Sequence, residues 1–210
     1  MGMKEAWNAL WGREQKESAV GSVIAYNRVG KAQWSNRDYE AFAREAYVQN
    51  VVAYACVRKI SKSISAIPIY LMDGEKEVEQ HDLLKLLQSP NPFMSYFDFI
   101  EAVASYYLIA GNSYIEQESI GKTPKELYPL RPDRMKPVLG PSGYPVAYIY
   151  SVGPAEKRFD IDIIRKQWPI LHIKAFHPID DVFGLSAIEP ASKDIDVHSS
   201  SKAFNKSLLS

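Results

Sequence analysis

The chain has 210 residues, 46% of them hydrophobic and 24% charged, which is the composition of a soluble globular protein with one large domain or a domain and an appendage. Lys plus Arg number 25 and Asp plus Glu number 25, so the charge balance argues against a protein that grips nucleic acid by bulk positive charge, although a local basic patch is compatible with it. Cys56 is the only cysteine, which excludes an intrachain disulfide and points to a reducing compartment; no apolar run of about 18 residues predicts a membrane span, no secretion signal opens the chain, and Ala6 stands where a myristoylation motif wants Ser or Thr.

Met3, Trp7, Leu10 and Trp11 fall on one side of a short helix, either a docking segment for a partner or a terminal helix folded onto its own domain. Residues 12–36 carry Gly12, Gly21 and Gly30 without a clear period and read as an arm or linker. Asp38 to Ala46 has helical character. A second helix starts at a cap on Asn50 and reaches about Ser65, with Val48, Val51, Val52, Ala55 and Ile60 as its apolar side and Arg58, Lys59 and Lys62 on a solvated face. Cys56 is expected as a small core filler, since no base can be placed beside it.

Ile67 to Met72 reads as a short strand with Pro68 at its start, and Asp73-Gly74 as a turn. His81 to Gln88 is a short amphipathic helix, with His81 at its exposed start. It runs into Ser89-Pro90-Asn91-Pro92, where two prolines remove donors and stop any helix.

The stretch that follows is the most informative. Ser95 and Asp98 have the spacing of a capping box with the shorter acid. Tyr96, Phe99, Ile100, Val103, Tyr106, Tyr107 and Ala110 then recur with helical period, and Gly111 stands where a left-handed C-cap belongs, followed by Asn112.

Beyond Gly111 the pattern turns to sheet. Ser113–Glu118, Arg134–Leu139, Val146–Ser151 and Pro169–Ala175 are the expected strands, the middle two joined by the Gly140–Gly143 loop. The spacing of prolines from Pro124 to Pro154 favours short antiparallel strands over a parallel dinucleotide-binding sheet. On the last strand, His172 alternates with Ile170 and Lys174, which predicts the wet side, opposite Leu171, Ile173 and Ala175. Ser186 and Glu189 predict a second capping box, with Pro190 in the first turn. Helical character then continues to the end, with Ile188, Ala191, Ile195 and His198 on one face and Val197, Phe204 and Leu208 on another. It ends on Leu208-Leu209-Ser210 without a stop signal, as a truncated helix does.

No phosphate loop, dinucleotide fingerprint or nucleophile elbow occurs, so neither a cofactor nor catalysis is expected. His172 and His177, with Asp180 and Asp181, are the one set that could hold a metal for a hydrolase, but their spacing matches no ligand signature.

Taken in order, several pieces resemble the portal proteins of tailed bacteriophages, most closely those of prophages and gene-transfer-agent clusters. They are Asn50 to Arg58 leading to Ala66-Ile67-Pro68, then Pro90-Asn91-Pro92, then Gly111-Asn112. Arg131-Pro132-Asp133-Arg134 follows within Glu126 to Met135, then Leu171 to Lys174, and finally Gly184-Leu-Ser186 with Glu189. The resemblance covers roughly residues 38–210. It implies an α+β fold of helices on short, mostly antiparallel strands, like the outer region called the wing. It also implies a subunit of a ring, usually of twelve copies, at a capsid vertex, through which double-stranded DNA passes without sequence-specific binding. Terminase, capsid and adaptor or tail proteins are the implied partners. The implied location is a virion or phage-like particle, with the bacterial cytoplasm during assembly. Portal proteins of this type are longer, so the expected division is an arm at 1–37, a wing-like domain at 38–185 and a truncated helix at 186–210. A generic interaction module docking through Trp7 and Trp11 is the remaining alternative.

Overall fold

The computed structural model describes residues 43–48, 50–121 and 123–191. A π-helical turn, Ala43–Val48, precedes α1, Val51–Ser65. Asn50 caps α1 as predicted: its Oδ1 accepts from the backbone of Val52 and Ala53, both at 3.0 Å. The face that α1 packs is not the predicted one. Val57, Ser61 and Ser65 are buried, whereas Val48, Val51, Val52 and Ile60 are exposed, and so is Cys56, which fills no core. Small serines on the packed side let α1 approach its neighbour closely, and the large side chains are left outside.

The expected strand at Ile67–Met72 is displaced. Only Met72–Asp73 (β1) pairs, with Lys76–Glu77 (β2), around Gly74 at φ 61°. Helix α2, Asp82–Gln88, is capped by His81, whose Nδ1 accepts from the Leu83 amide. Helix α3, Tyr96–Ala110, has the predicted capping box: Ser95 Oγ accepts from Asp98 N, and the Asp98 carboxylate accepts from Ser95 N. Gly111 ends it in the left-handed region at φ 70°, donating to Tyr107 O.

Two three-stranded antiparallel sheets follow. One has the order β4-β3-β8, from Asn112–Ile120 (β3), Thr123–Leu130 (β4) and Ile170–Lys174 (β8). The other has the order β5-β6-β7, from Met135–Leu139, Pro145–Val152 and Ala155–Asp160. A 3-10 turn, Pro132–Arg134, carries the chain from β4 to β5. Strands β4 and β7 are not among the predicted ones. In β4, Pro124 and Pro129 mask the signal, but β4 is an edge, where proline is tolerated. Leu127 N donates away from β3, to Pro90 O, and Pro129 shares its parity, so the missing donor of Pro129 also faces outward.

The core lies between the sheets: Tyr114, Leu130, Met135, Tyr148, Phe159 and Ile170 are buried together. On the opposite face of β3, Ser113 and Ile115 are buried where α3 packs. A second cluster joins α1 and α3 through Val57, Ile109 and Ile188. The layers are thus helix on helix on sheet on sheet, the α+β arrangement expected. The terminal segments, residues 1–42 and 192–210, lie outside the described residues.

Candidate functional site: the Asn112 junction

Three of the predicted motif positions, Gly111, Asn112 and Gly184, meet at one buried point, where the end of α3, the start of β3, β8 and the segment after it come together. Asn112 is the hub. Its Nδ2 donates to Ala110 O (2.8 Å) and Gly184 O (3.3 Å), and its Oδ1 accepts from Gly184 N (2.8 Å). The same oxygen lies 2.9 Å from His172 Nε2. Ala175 N donates to Gly111 O, 2.8 Å away. A Cβ on Gly111 would sit 2.5 Å from Gly184 O, so both glycines serve close backbone approach as well as, at Gly111, a positive φ.

His172 is the correction to the sequence reading. It points into the core side of β8, not to water, while Leu171 and Ile173 are exposed. The antiparallel register sets His172 beside Tyr114, and their rings stack at 4.2 Å. Because Asn112 Oδ1 is an acceptor, Nε2 carries the imidazole proton. Nδ1 is then free to accept from the Tyr148 hydroxyl at 3.4 Å. Burial, helped by the Lys174 charge, lowers the His172 pKa to about 4, so the ring is neutral. Burial likewise pushes the Tyr148 phenol up to about 12.

The remaining motif residues lock other joints. Pro90 is fully buried and Asn91 is buried, while Pro92 is exposed. Asn91 Nδ2 donates to Leu127 O (2.8 Å), and its Oδ1 accepts from Phe93 N, so this turn closes the outer edge of β4. Arg131 donates to both carboxylate oxygens of Asp133, at 3.0 and 2.7 Å, across Pro132; Arg134 N donates to Arg131 O. Ser186 is buried; its Oγ accepts from Ile188 N and donates to Leu108 O. The helix expected after it is represented among the described residues by a 3-10 turn, Glu189–Ala191.

His177 and Asp180 shape their own loop. His177 Nδ1 accepts from Ile179 N, and Asp180 Oδ1 accepts from Val182 N and Phe183 N. Both ring nitrogens of His172 are engaged within the fold, and no group of three or more His, Cys, Asp or Glu among the described residues is placed to hold a metal. One feature escaped the sequence: Lys157 of β7 donates to Glu116 and Glu118 of β3, clipping the two sheets together. The Glu116 pKa is raised, chiefly by burial, and that of Glu118 is lowered by the Lys157 bond.

The junction therefore fixes three chain segments rather than presenting reactive groups. The model of the family described as "Phage portal protein" matches residues 51–210, a span that includes every one of these joints. The chain belongs to the phage portal protein family. Two uncharacterized proteins are similar to it over 99% of its length: one from Rickettsia bellii at 34% identity and one from Rickettsia felis at 31%. The portal chain spans about half the length of these curated relatives, 52% of each. Among solved structures, it is similar to a chain in the neck of an empty gene transfer agent particle computed with sixfold symmetry. There the TM-score is 0.83 and the identity 36%, over 91% of this chain and 52% of that one. A chain in the neck of the native particle computed with twelvefold symmetry matches with a TM-score of 0.77 at 35% identity, over 90% of this chain and 50% of that one. Among the described residues no helix is long and apolar enough to cross a membrane.

Proposed function

We propose that this portal chain supplies the first half of a ring-forming subunit at the vertex of a phage-like particle, the ring through which DNA is packaged and released. The observation that carries this reading is the likeness to the neck chain at a TM-score of 0.83, with coverage of 91% of the chain. In this reading the protein makes and breaks no bonds. Its motif residues hold backbone segments in register, so that one rigid unit can be repeated around an axis. Residues 38–185 form the wing-like body, 1–37 an arm, and 186–210 the start of the part that continues in longer relatives. Terminase, capsid and adaptor or tail proteins are the partners, and the bacterial cytoplasm is the place of assembly. The equal counts of acidic and basic residues suit a channel wall along which DNA must slide without being held.

The test is a hybrid in which this chain replaces the matching half of the Rickettsia bellii relative. Electron microscopy should show discrete rings for the hybrid, as for the unaltered relative, and only monomers or ill-defined aggregates for this chain alone. Rings from the unaltered relative but none from the hybrid would refute the proposal.

A further inference from the structure

The two three-stranded sheets have four edges, and two of them are closed. On β4 the backbone of Leu127 and Pro129 faces away from β3. Leu127 is taken up by the preceding turn, donating to Pro90 O and accepting from Asn91 Nδ2, and Pro129 has no donor. On β5 the outward residue at mid-strand is Pro137, again without a donor. Neither edge can take a further strand along its length.

The edges at β7 and β8 are open. Ile161 N donates to Val146 O, so the odd-numbered residues of β7 bond to β6, and the N–H and C=O of Glu156, Arg158 and Asp160 face away. Gln117 N donates to Pro169 O and Ala175 N to Gly111 O, so on β8 the backbone of Ile170, His172 and Lys174 faces away from β3. Among the described residues none of these outward backbone groups has a partner.

Packing puts the two open edges on opposite sides of the sandwich. Tyr148 of β6 reaches His172 of β8, whereas Lys157 of β7 reaches Glu116 of β3. Passing from β6 to β7 therefore follows the direction from β8 to β3, and the free edge of β7 lies on the side away from the free edge of β8. Open edges placed so suit a head-to-tail contact between copies, the kind that closes into a ring.

We propose that β7 of one copy pairs with β8 of the next, so that a sheet continues across each subunit boundary. The pairing rests on the reading of the chain as a ring subunit, which the likeness to a neck chain computed with twelvefold symmetry supports. Charge agrees with it. With Arg158 opposite His172, Lys174 stands opposite Glu156 if the strands run antiparallel and opposite Asp160 if they run parallel, an acid in either case. A β7 strand paired antiparallel with its own copy about Arg158 would instead set two arginines against each other.

The test uses the hybrid with the Rickettsia bellii relative. Arg158→Pro and Lys174→Pro each remove one outward N–H and no bond inside the sheets. Each should cut the yield of rings at least tenfold, while Arg158→Ala and Lys174→Ala, which keep the N–H, should still form them. Rings from the unaltered hybrid and equally from both proline variants overturn the pairing and leave the ring reading standing. No rings from the unaltered hybrid overturn both. Equal loss in the alanine variants assigns the effect to the side chains and overturns the backbone pairing. A second measurement does not depend on the proline variants folding. In rings carrying Cys56→Ser, oxidation should link Lys174→Cys on one chain to either Glu156→Cys or Asp160→Cys on another, according to strand direction, and not to Ile120→Cys at the exposed end of β3. Links only between two chains that both carry Lys174→Cys assign the β8 edge to a twofold pair and overturn the proposal, as does the absence of any link.

Discussion

Gly111 and Gly184 lie back to back, so closely that a Cβ on Gly111 would be 2.5 Å from Gly184 O. Neither position leaves room for a methyl group, and Gly111 also needs a positive φ. Gly111→Ala combines a left-handed backbone penalty with overpacking and should cost roughly 3 kcal/mol or more. For a chain of this size, that lowers the melting temperature by about 6–12 °C. Gly184→Ala, without the φ penalty but against backbone atoms of Gly111 and Ala175, should cost a comparable amount. Thermal unfolding followed by circular dichroism checks both.

Asn112 satisfies three buried backbone groups with one amide. Asn112→Ala leaves Gly184 N, Gly184 O and Ala110 O without this partner and should cost on the order of 3 kcal/mol. Asn112→Asp tests the same hub electrostatically. It loses the donors to Ala110 and Gly184 and places a carboxylate beside His172, which raises the histidine pKa. Chemical denaturation at neutral pH should find both variants destabilised.

The neutral His172 ties stability to pH. Its folded pKa, about 4, lies below the ordinary value of 6.5, so the unfolded chain binds the proton more readily. The contribution is fully present above pH 6.5, is lost progressively as pH falls toward 4, and declines no further below that. Its size is on the order of 3 kcal/mol. Denaturation midpoints between pH 7 and 4 should fall for the native chain, and should fall less over this window for His172→Gln.

Asn91 closes the edge of β4. Asn91→Ala should cost about 1–2 kcal/mol by unpairing Leu127 O. Hydrogen exchange should then speed up at the Leu127 amide, which donates to Pro90, more than at amides in the centre of β3.

What the sequence disclosed, and what it hid, follows from how local each signal is. The box of Ser95 and Asp98, the helix behind it and the Gly111 cap depend on residues a few positions apart, and their spacing is enough to place them. Asn50 and its helix are legible for the same reason. The orientation of α1 is not, because Val57, Ser61 and Ser65 were chosen by the approach of α3, and small residues on a packed face carry no hydrophobic signature. β4 is masked by prolines that only an edge strand tolerates, and its edge role depends on a turn far back in the chain. His172 is the clearest case. Alternation alone cannot say which side of a strand is wet, and only its partners Tyr114, Asn112 and Tyr148, each remote in sequence, decide that a histidine goes inward. The glycine and asparagine of the junction stand out in the sequence as motif residues, but their contact with one another does not.

In this junction His172 is a neutral partner with both ring nitrogens engaged inside the fold, at Asn112 and Tyr148, which leaves neither for a metal. Nitrogen NMR of the His172 ring, recorded from pH 7.5 to 5 with and without added zinc, tests this most directly. The proton should stay on Nε2, with Nδ1 bare, throughout that range and unmoved by zinc. A midpoint near 6.5, or a zinc-dependent shift of either ring nitrogen at stoichiometric metal, would contradict it.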